Sequence, residues 1–139
     1  MEQKKKKLYI GCALTIVPQD KKEVFWGIIK EIKKELNKNF EILEFKGLGD
    51  FTTKEVYDFD IKECVMKADY MLAICDYPSL GLGYELGTAV EKMGIPVLAM
   101  AHKDLPVAKL IRGINHPNFN FFYYNSMDEI IKKSLEIFT

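Results

Sequence analysis

The chain has little of what marks a metalloprotein or a disulfide-bonded secreted protein. It contains three cysteines and two histidines in 139 residues, and no two cysteines have the CxxC spacing. Cys12, Cys64 and Cys75 each lie in an apolar segment, which predicts buried and reduced thiols. His102 and His116 have no cysteine beside them, so we expect no metal site.

An excess of charge of one sign is also missing. Lys plus Arg and Asp plus Glu number 20 each, so no global field attracts nucleic acid or an anionic membrane. No apolar run approaches the length of a bilayer span, and the start of the chain lacks the features of a signal peptide. The lysines at 4–7 are interpreted as residues that keep the terminus soluble. We expect a cytoplasmic protein that binds neither nucleic acid nor membranes.

What the chain does have is a regular alternation of apolar patterns. Its length and its 48% hydrophobic content predict one domain, 1–139, with a sizeable core. Short apolar runs predict strands, and apolar residues at helical spacing predict helices between them. The predicted strands are 8–14, 40–45, 70–75, 95–101 and 119–123. The predicted helices are 20–37, one opened by a capping box at 52–55, one containing Glu85, 107–114, and one opened by a capping box at 126–129. In the first of them, one face is marked by Val24, Ile28, Ile32 and Leu36 and is expected to be buried.

This alternation predicts the fold class. Strands and helices that alternate through short loops favour right-handed crossovers and a parallel sheet between two helical layers. We expect an α/β fold of the doubly wound, three-layer kind, with five strands in the flavodoxin-like order 2-1-3-4-5. Ligands bind such sheets where the strand order reverses, so 9–15 and 76–85 should face each other across a crevice.

The segment Asp76 to Gly87 contains the strongest candidate for chemistry. Gly81 and Gly83 are expected to form a turn that lets the backbone approach a ligand, and Glu85 should follow near the third position of a helix. The positive end of the helix dipole would favour an ionised carboxylate there. The pattern predicts an acid aimed at whatever lies above the sheet.

Other proteins with this fold fit the loops poorly. A receiver domain needs acids after its first strand, and 13–17 contain none. A flavodoxin needs a phosphate loop rich in hydroxyl groups there, and that segment offers only Thr15. A P-loop is absent, and the glycines of 81–87 are spaced differently from the dinucleotide fingerprint.

Residues 68–87 resemble the nucleoside 2-deoxyribosyltransferase superfamily, and within it most of all the 2′-deoxynucleoside 5′-phosphate N-hydrolases. The run PSLGLGYELG at 78–87 is similar to the hydrolases' signature, and looser similarity extends to 8–10, to 56–60 and to 110–113. The resemblance implies cleavage or transfer of the N-glycosidic bond of 2′-deoxynucleosides or their 5′-monophosphates. It also implies a small nucleoside or nucleotide substrate, no cofactor, and a homodimer or larger homo-oligomer.

The same resemblance implies roles for individual residues. Glu85 would be the nucleophile, Tyr9 would hydrogen-bond it, and Asp60 would be the acid near the leaving base. Asp60 is one residue farther from Ala68 than in the hydrolases. The candidates for binding substrate are Ser79, which matches a position beside the 5′-phosphate, together with Gly81, Gly83, Cys12 and Asp76.

The chain departs from the hydrolases where they hold the phosphate. Ala13 and Thr15 stand where those enzymes carry Ser and Arg, and Ala108 stands in place of the serine before Ile-Arg-Gly. The cations considered as replacements for the missing phosphate donors are Lys103, Lys109 and Arg112. Two alternatives remain open: a non-catalytic module that binds or senses a nucleotide, and a ribonucleotide N-glycosidase.

Overall fold

The protein is described by a computed structural model over residues 4–46 and 49–139. Within them the elements are β1 (Lys7–Cys12), α1 (Lys22–Leu36), β2 (Glu41–Leu43), α2 (Thr53–Tyr57), β3 (Tyr70–Ile74), α3 (Leu80–Gly87), β4 (Val97–His102), α4 (Lys109–Arg112), β5 (Phe119–Tyr124) and α5 (Met127–Ile137). A first π segment, Asp58–Cys64, continues α2, and a second, Thr88–Met93, continues α3. No helix of this described part is long and apolar enough to cross a membrane.

The five strands form one parallel sheet in the order β2-β1-β3-β4-β5. This confirms the predicted fold class and strand order, and each predicted strand end lies within two residues of the observed end. The strand β1 pairs with β2 on one side and with β3 on the other, in the register Tyr9 to Met71 and Gly11 to Ala73. The order therefore reverses at β1, and α3 follows the strand beside it.

Side chains of β1 alternate between two apolar cores, one on each face of the sheet. Leu8, Ile10 and Cys12 pack with residues of α1 and α5. Tyr9 packs on the opposite face, with the first π segment and α3. Because successive side chains of a strand point to opposite faces, residues 9 and 11 face α3 while residue 12 faces away from it.

The apolar face of α1 is rotated relative to the prediction. Its buried residues are Phe25, Ile29, Ile32 and Leu36, and Val24 is 65% exposed. The expectation that Val24 lies on the buried face was therefore wrong. Burial of the Phe25 ring removes more apolar surface from water than burial of Val24 would, so the helix turns Phe25 inward.

Of the two predicted capping boxes, one forms. The Thr52 hydroxyl accepts from the Glu55 N–H, and Glu55 Oε1 accepts from the Thr52 N–H, both at 3.1 Å. At α5 the prediction was wrong, because the Ser126 side chain makes no cap hydrogen bond. There Glu129 Oε1 accepts from the Asn125 N–H at 3.3 Å. The backbone donor that Glu129 satisfies is therefore one residue before the cap residue, Ser126.

Candidate active site

Glu85 lies deeper in its helix than its spacing from the glycines predicts. Ser79 is the N-cap of α3, and its hydroxyl accepts from the Leu82 N–H at 3.1 Å. Gly81 and Gly83 are consequently helical residues rather than a turn, and the Gly83 N–H donates to the Ser79 carbonyl at 3.1 Å. The expected third position is therefore wrong: Glu85 is in the second turn, because the serine cap begins the helix before the glycines.

The carboxyl of Glu85 points back over β1. The Tyr9 hydroxyl donates to Glu85 Oε2, and the two side chains are 1% and 9% exposed. Tyr9 is in the middle of β1 and pairs with Met71 of β3. The Tyr9 side chain is long enough for its hydroxyl to reach the Glu85 carboxyl from beneath.

Gly11 makes room for this approach. A Cβ on Gly11 would lie 3.0 Å from Leu82 Cδ1, 3.1 Å from Met71 Cε and 3.3 Å from Glu85 Oε1. A side chain here would press on both α3 and the carboxyl. Sequence analysis did not select Gly11, although a glycine inside a strand often marks such a close approach.

Burial controls the ionisation of Glu85. Loss of hydration raises its pKa to about 7, the hydrogen bond from Tyr9 lowers the pKa, and the charge of Asp60 raises it. The expected dipole effect does not prevail, because Glu85 lies beyond the free N–H groups of the first turn. Burial also holds the pKa of Tyr9 well above its ordinary value, so its hydroxyl stays protonated and remains a donor.

Asp60 is brought to the same place by the first π segment. It is buried, and its Oδ1 accepts from the Lys46 N–H at 2.7 Å. Burial raises its pKa, while that hydrogen bond and the Lys46 charge lower it. Its own charge raises the pKa of both Tyr9 and Glu85. The three residues predicted to be catalytic thus form one buried, interacting group.

A pocket of about 390 Å³ lies beside α3. Ser79 and Gly83 line it, as do Cys75 and residues of the loop before α4. Gly81 does not line this pocket, although it is in the first turn of α3 beside it. Glu85 does not line this pocket, although Leu82 and Leu86 of the same helix do.

Cys12 and Asp76 are not brought to either place. Cys12 packs with α1 and α5, on the face of the sheet opposite Glu85. Both oxygens of Asp76 accept hydrogen bonds, one from the Tyr124 hydroxyl and one from the His102 N–H at 3.1 Å. Asp76 therefore ties the end of β3 to β4 and β5, which explains its burial without a ligand.

The cysteines offer no alternative nucleophile or metal site. All three are buried and free, as the sequence predicted. Burial raises the pKa of Cys12, Cys64 and Cys75 to about 12, so the unreactive thiol form prevails. Within residues 4–46 and 49–139, no group of three or more His, Cys, Asp or Glu side chains is arranged to hold a metal ion.

The fold and this group define a class: a flavodoxin-like α/β protein with a buried Glu–Tyr pair and a second carboxyl at the switch between β1 and β3. No family model matches the chain. A Thermofilum pendens protein named "Putative 2′-deoxynucleoside 5′-phosphate N-hydrolase 1" is 38% identical over 84 residues, 59% of this chain and 57% of that protein. A protein of the same name from Syntrophotalea carbinolica is 32% identical over 68 residues, 48% of this chain and 46% of that protein. The chain thus spans about half the length of these curated relatives.

Solved structures share the fold over nearly the whole chain. A CMP N-glycosidase from Clostridium botulinum superposes with a TM-score of 0.73 at 21% identity, covering 96% of this chain and 100% of that one. A 2-deoxyribosyltransferase from Leishmania mexicana gives a TM-score of 0.63 at 16% identity, covering 94% and 97%. Together with the curated relatives, these comparisons confirm the resemblance to the nucleoside 2-deoxyribosyltransferase superfamily.

Proposed function

We propose that this protein cleaves or transfers the N-glycosidic bond of 2′-deoxynucleosides or their 5′-monophosphates through a covalent deoxyribosyl-Glu85 intermediate. The observation that carries the proposal is the buried hydrogen bond from Tyr9 to Glu85 beside the carboxyl of Asp60. The names of the two curated relatives support the same reaction class. Tyr9 fixes one oxygen of the nucleophile, so the carboxyl enters the reaction already oriented.

In the first step, a carboxylate oxygen of Glu85 forms a bond to C1′ of the sugar. The bond from C1′ to the base nitrogen breaks, and its electron pair leaves with the base, which takes a proton from the Asp60 carboxyl. Burial raises the pKa of Asp60, so its carboxyl binds a proton more readily than an exposed aspartate would. Two carboxyls in one site rarely ionise together, which favours one base and one acid.

In the second step, an acceptor attacks C1′ from the side that the base has left. The bond to Glu85 breaks, the carboxylate is restored, and Asp60 takes the proton of the acceptor. Two inversions give net retention at C1′. Water as the acceptor makes the protein a hydrolase, and a second free base makes it a transferase.

The direct test is release of base from 2′-deoxynucleosides and their 5′-monophosphates, with and without a second free base. Glu85→Gln keeps the size and polarity of the side chain and should lower kcat/KM by about a thousandfold or more. Glu91→Gln is the matched control, since Glu91 is an exposed residue of the adjoining second π segment. A deoxyribosyl adduct on the wild-type protein, detected by intact-protein mass spectrometry and absent from Glu85→Gln, would support the covalent step.

Four other results would each contradict part of the proposal. Full activity in Glu85→Gln would refute the mechanism, and no release or exchange with any substrate would refute the reaction. Tight binding without turnover would favour the binding or sensing module instead. A preference for ribonucleotides over deoxynucleotides with the same base would favour the ribonucleotide N-glycosidase.

We also propose a homodimer or larger homo-oligomer. The support lies at the edge strand β5, where the Phe122 and Tyr123 rings are 37% and 44% exposed. Apolar aromatic surface on an edge strand is commonly covered by a partner. A monomer mass in multi-angle light scattering would refute this assembly.

A further inference from the structure

The pocket beside α3 shares a wall with the candidate nucleophile. Leu82 lines the pocket, and its Cδ1 comes as near to a Cβ built on Gly11 as Glu85 Oε1 does, at 3.0 and 3.3 Å. Gly83 and Leu86 also line it, and they are within one helical turn of Glu85. A sugar held at Glu85 is therefore within reach of this pocket.

The lining of the pocket is uncharged. Its floor and rim consist mainly of apolar residues, among them Ile16, Leu82, Val107 and Ile111. The Cys75 thiol is neutral because burial raises its pKa to about 12. No Lys, Arg or His of the described residues lines it.

Two of the backbone donors beside this pocket are already used. The Leu82 and Gly83 N–H groups at the start of α3 both donate to Ser79. Ala108, which stands where the resemblance implies a serine, contributes a methyl group to the lining. A phosphate dianion in this pocket would lose hydration without gaining charged partners, which disfavours its binding.

None of the three nearby cations lines the pocket. The Arg112 Nε–H donates to the Val107 carbonyl at 3.1 Å, so its guanidinium is held against the loop. Lys109 and Lys103 are exposed residues that do not line the pocket. None of the three cations considered from the sequence lines this pocket, so the structure gives no support for compensation there.

We infer that this pocket takes the uncharged 5′ end of the substrate, either a 5′-hydroxyl or a small apolar 5′ group. The substrate class is then nucleosides rather than nucleoside 5′-monophosphates. This inference rests on the proposed function and narrows it.

The test compares three substrates with the same base: the 2′-deoxynucleoside, its 5′-deoxy analogue and its 5′-monophosphate. For whichever base is released, we expect kcat/KM for the two uncharged compounds to exceed that for the monophosphate by about tenfold or more. A monophosphate cleaved as well as the nucleoside, or better, would overturn the inference and leave the proposed reaction standing.

A variant that adds a positive charge at the pocket tests whether the pocket sets the preference between nucleoside and monophosphate. Ile16→Lys puts a cation at the pocket rim on a residue that is 64% exposed, so folding should tolerate it. We expect it to raise the ratio of monophosphate to nucleoside kcat/KM by about tenfold. Val24→Lys adds the same charge to α1 at 65% exposure, away from the pocket, and should leave the ratio within about twofold.

Two outcomes separate this inference from the reaction. If no substrate is cleaved, the proposed function fails. Calorimetric binding of the nucleoside and the monophosphate to the wild-type protein then still tests the inference. Tighter binding of the nucleoside supports the inference, and equal binding of the two compounds, or no binding, refutes it. If Ile16→Lys changes the oligomeric mass but not the substrate ratio, the pocket holds a second copy and the inference is wrong.

Discussion

Two effects act in opposite directions on the Glu85 carboxyl. Burial raises its pKa to about 7, and the hydrogen bond from Tyr9 lowers the pKa. A nucleophilic carboxylate must be ionised, so the proposed reaction should gain rate as the pH rises through this pKa. In addition to orienting the carboxyl, Tyr9 then keeps the pH at which the rate rises close to neutral.

Tyr9→Phe tests this assignment. Without the hydroxyl the pKa of Glu85 rises further, so the ascending limb of kcat/KM against pH should move up by about one unit. The measurement is base release from pH 5 to 9. A purely structural role would lower the plateau and leave the limb where it is, and that result would contradict the assignment.

At the level of single residues, the sequence identified Glu85, Tyr9 and Asp60 through motif resemblance and left their contact as a prediction. It missed Gly11, because the clearance beneath Glu85 depends on how closely α3 packs on β1. It also selected Cys12 and Asp76, which lie near strand ends but point away from the site. The direction of a side chain at a strand end depends on where the pleat stops, which spacing alone does not give.

Among the elements, the start of α3 depends on one serine. The Ser79 hydroxyl and carbonyl both accept from amides of the first turn, and this sets the position of Glu85 along the helix. An N-cap hydrogen bond of this kind is worth about 1 kcal/mol. The Ser126 side chain at the start of α5 makes no such bond.

The two serines form a matched pair for a stability experiment. Ser79→Ala should lower the free energy of unfolding by about 1 kcal/mol, and Ser126→Ala should change it by less than about 0.5 kcal/mol. Equilibrium denaturation in urea measures both. Equal losses from the two variants would show that the Ser79 cap contributes nothing specific.

The first π segment accounts for the position of Asp60. Its chain hydrogen bonds include one from the Val65 N–H to the Asp60 carbonyl, five residues apart. A π turn holds one residue more than an α turn, and such a turn would accommodate the extra residue that the resemblance implies between Asp60 and Ala68. The sequence predicted one helix here and could not distinguish the two kinds of turn, since both bury Ile61, Cys64 and Val65.

For the whole molecule, a buried carboxyl with a raised pKa makes stability depend on pH. Between the ordinary pKa of 4.5 and about 7, the folded state holds a proton on Glu85 that the unfolded state has lost. The stabilisation from this carboxyl is thus complete below pH 4.5 and is lost as the pH rises through 7. The site is least stable in the ionised form that the proposed chemistry needs.

Glu85→Gln should remove this contribution. The variant minus wild-type difference in unfolding free energy should grow by roughly 3 kcal/mol between pH 4 and pH 8, in favour of the variant. Any change in the unfolding free energy that the amide causes equally at both pH values cancels in that comparison. Urea titrations at both pH values measure it, and a difference that does not change with pH would show that Glu85 titrates normally.

The sequence by itself predicted the strand order, the two helical layers and the region of the candidate site, because strands and helices that alternate through short loops favour a parallel sheet with right-handed crossovers. It also predicted Glu85 as the candidate nucleophile, through a motif that is local in the chain. Tertiary structure decided what surrounds that acid: the Tyr9 hydroxyl beneath it, the clearance at Gly11, and the uncharged pocket beside α3. These three features depend on the distance between elements that are far apart in the chain. The pKa of Glu85 is set by the hydration that the carboxyl loses on packing rather than by its position in the helix.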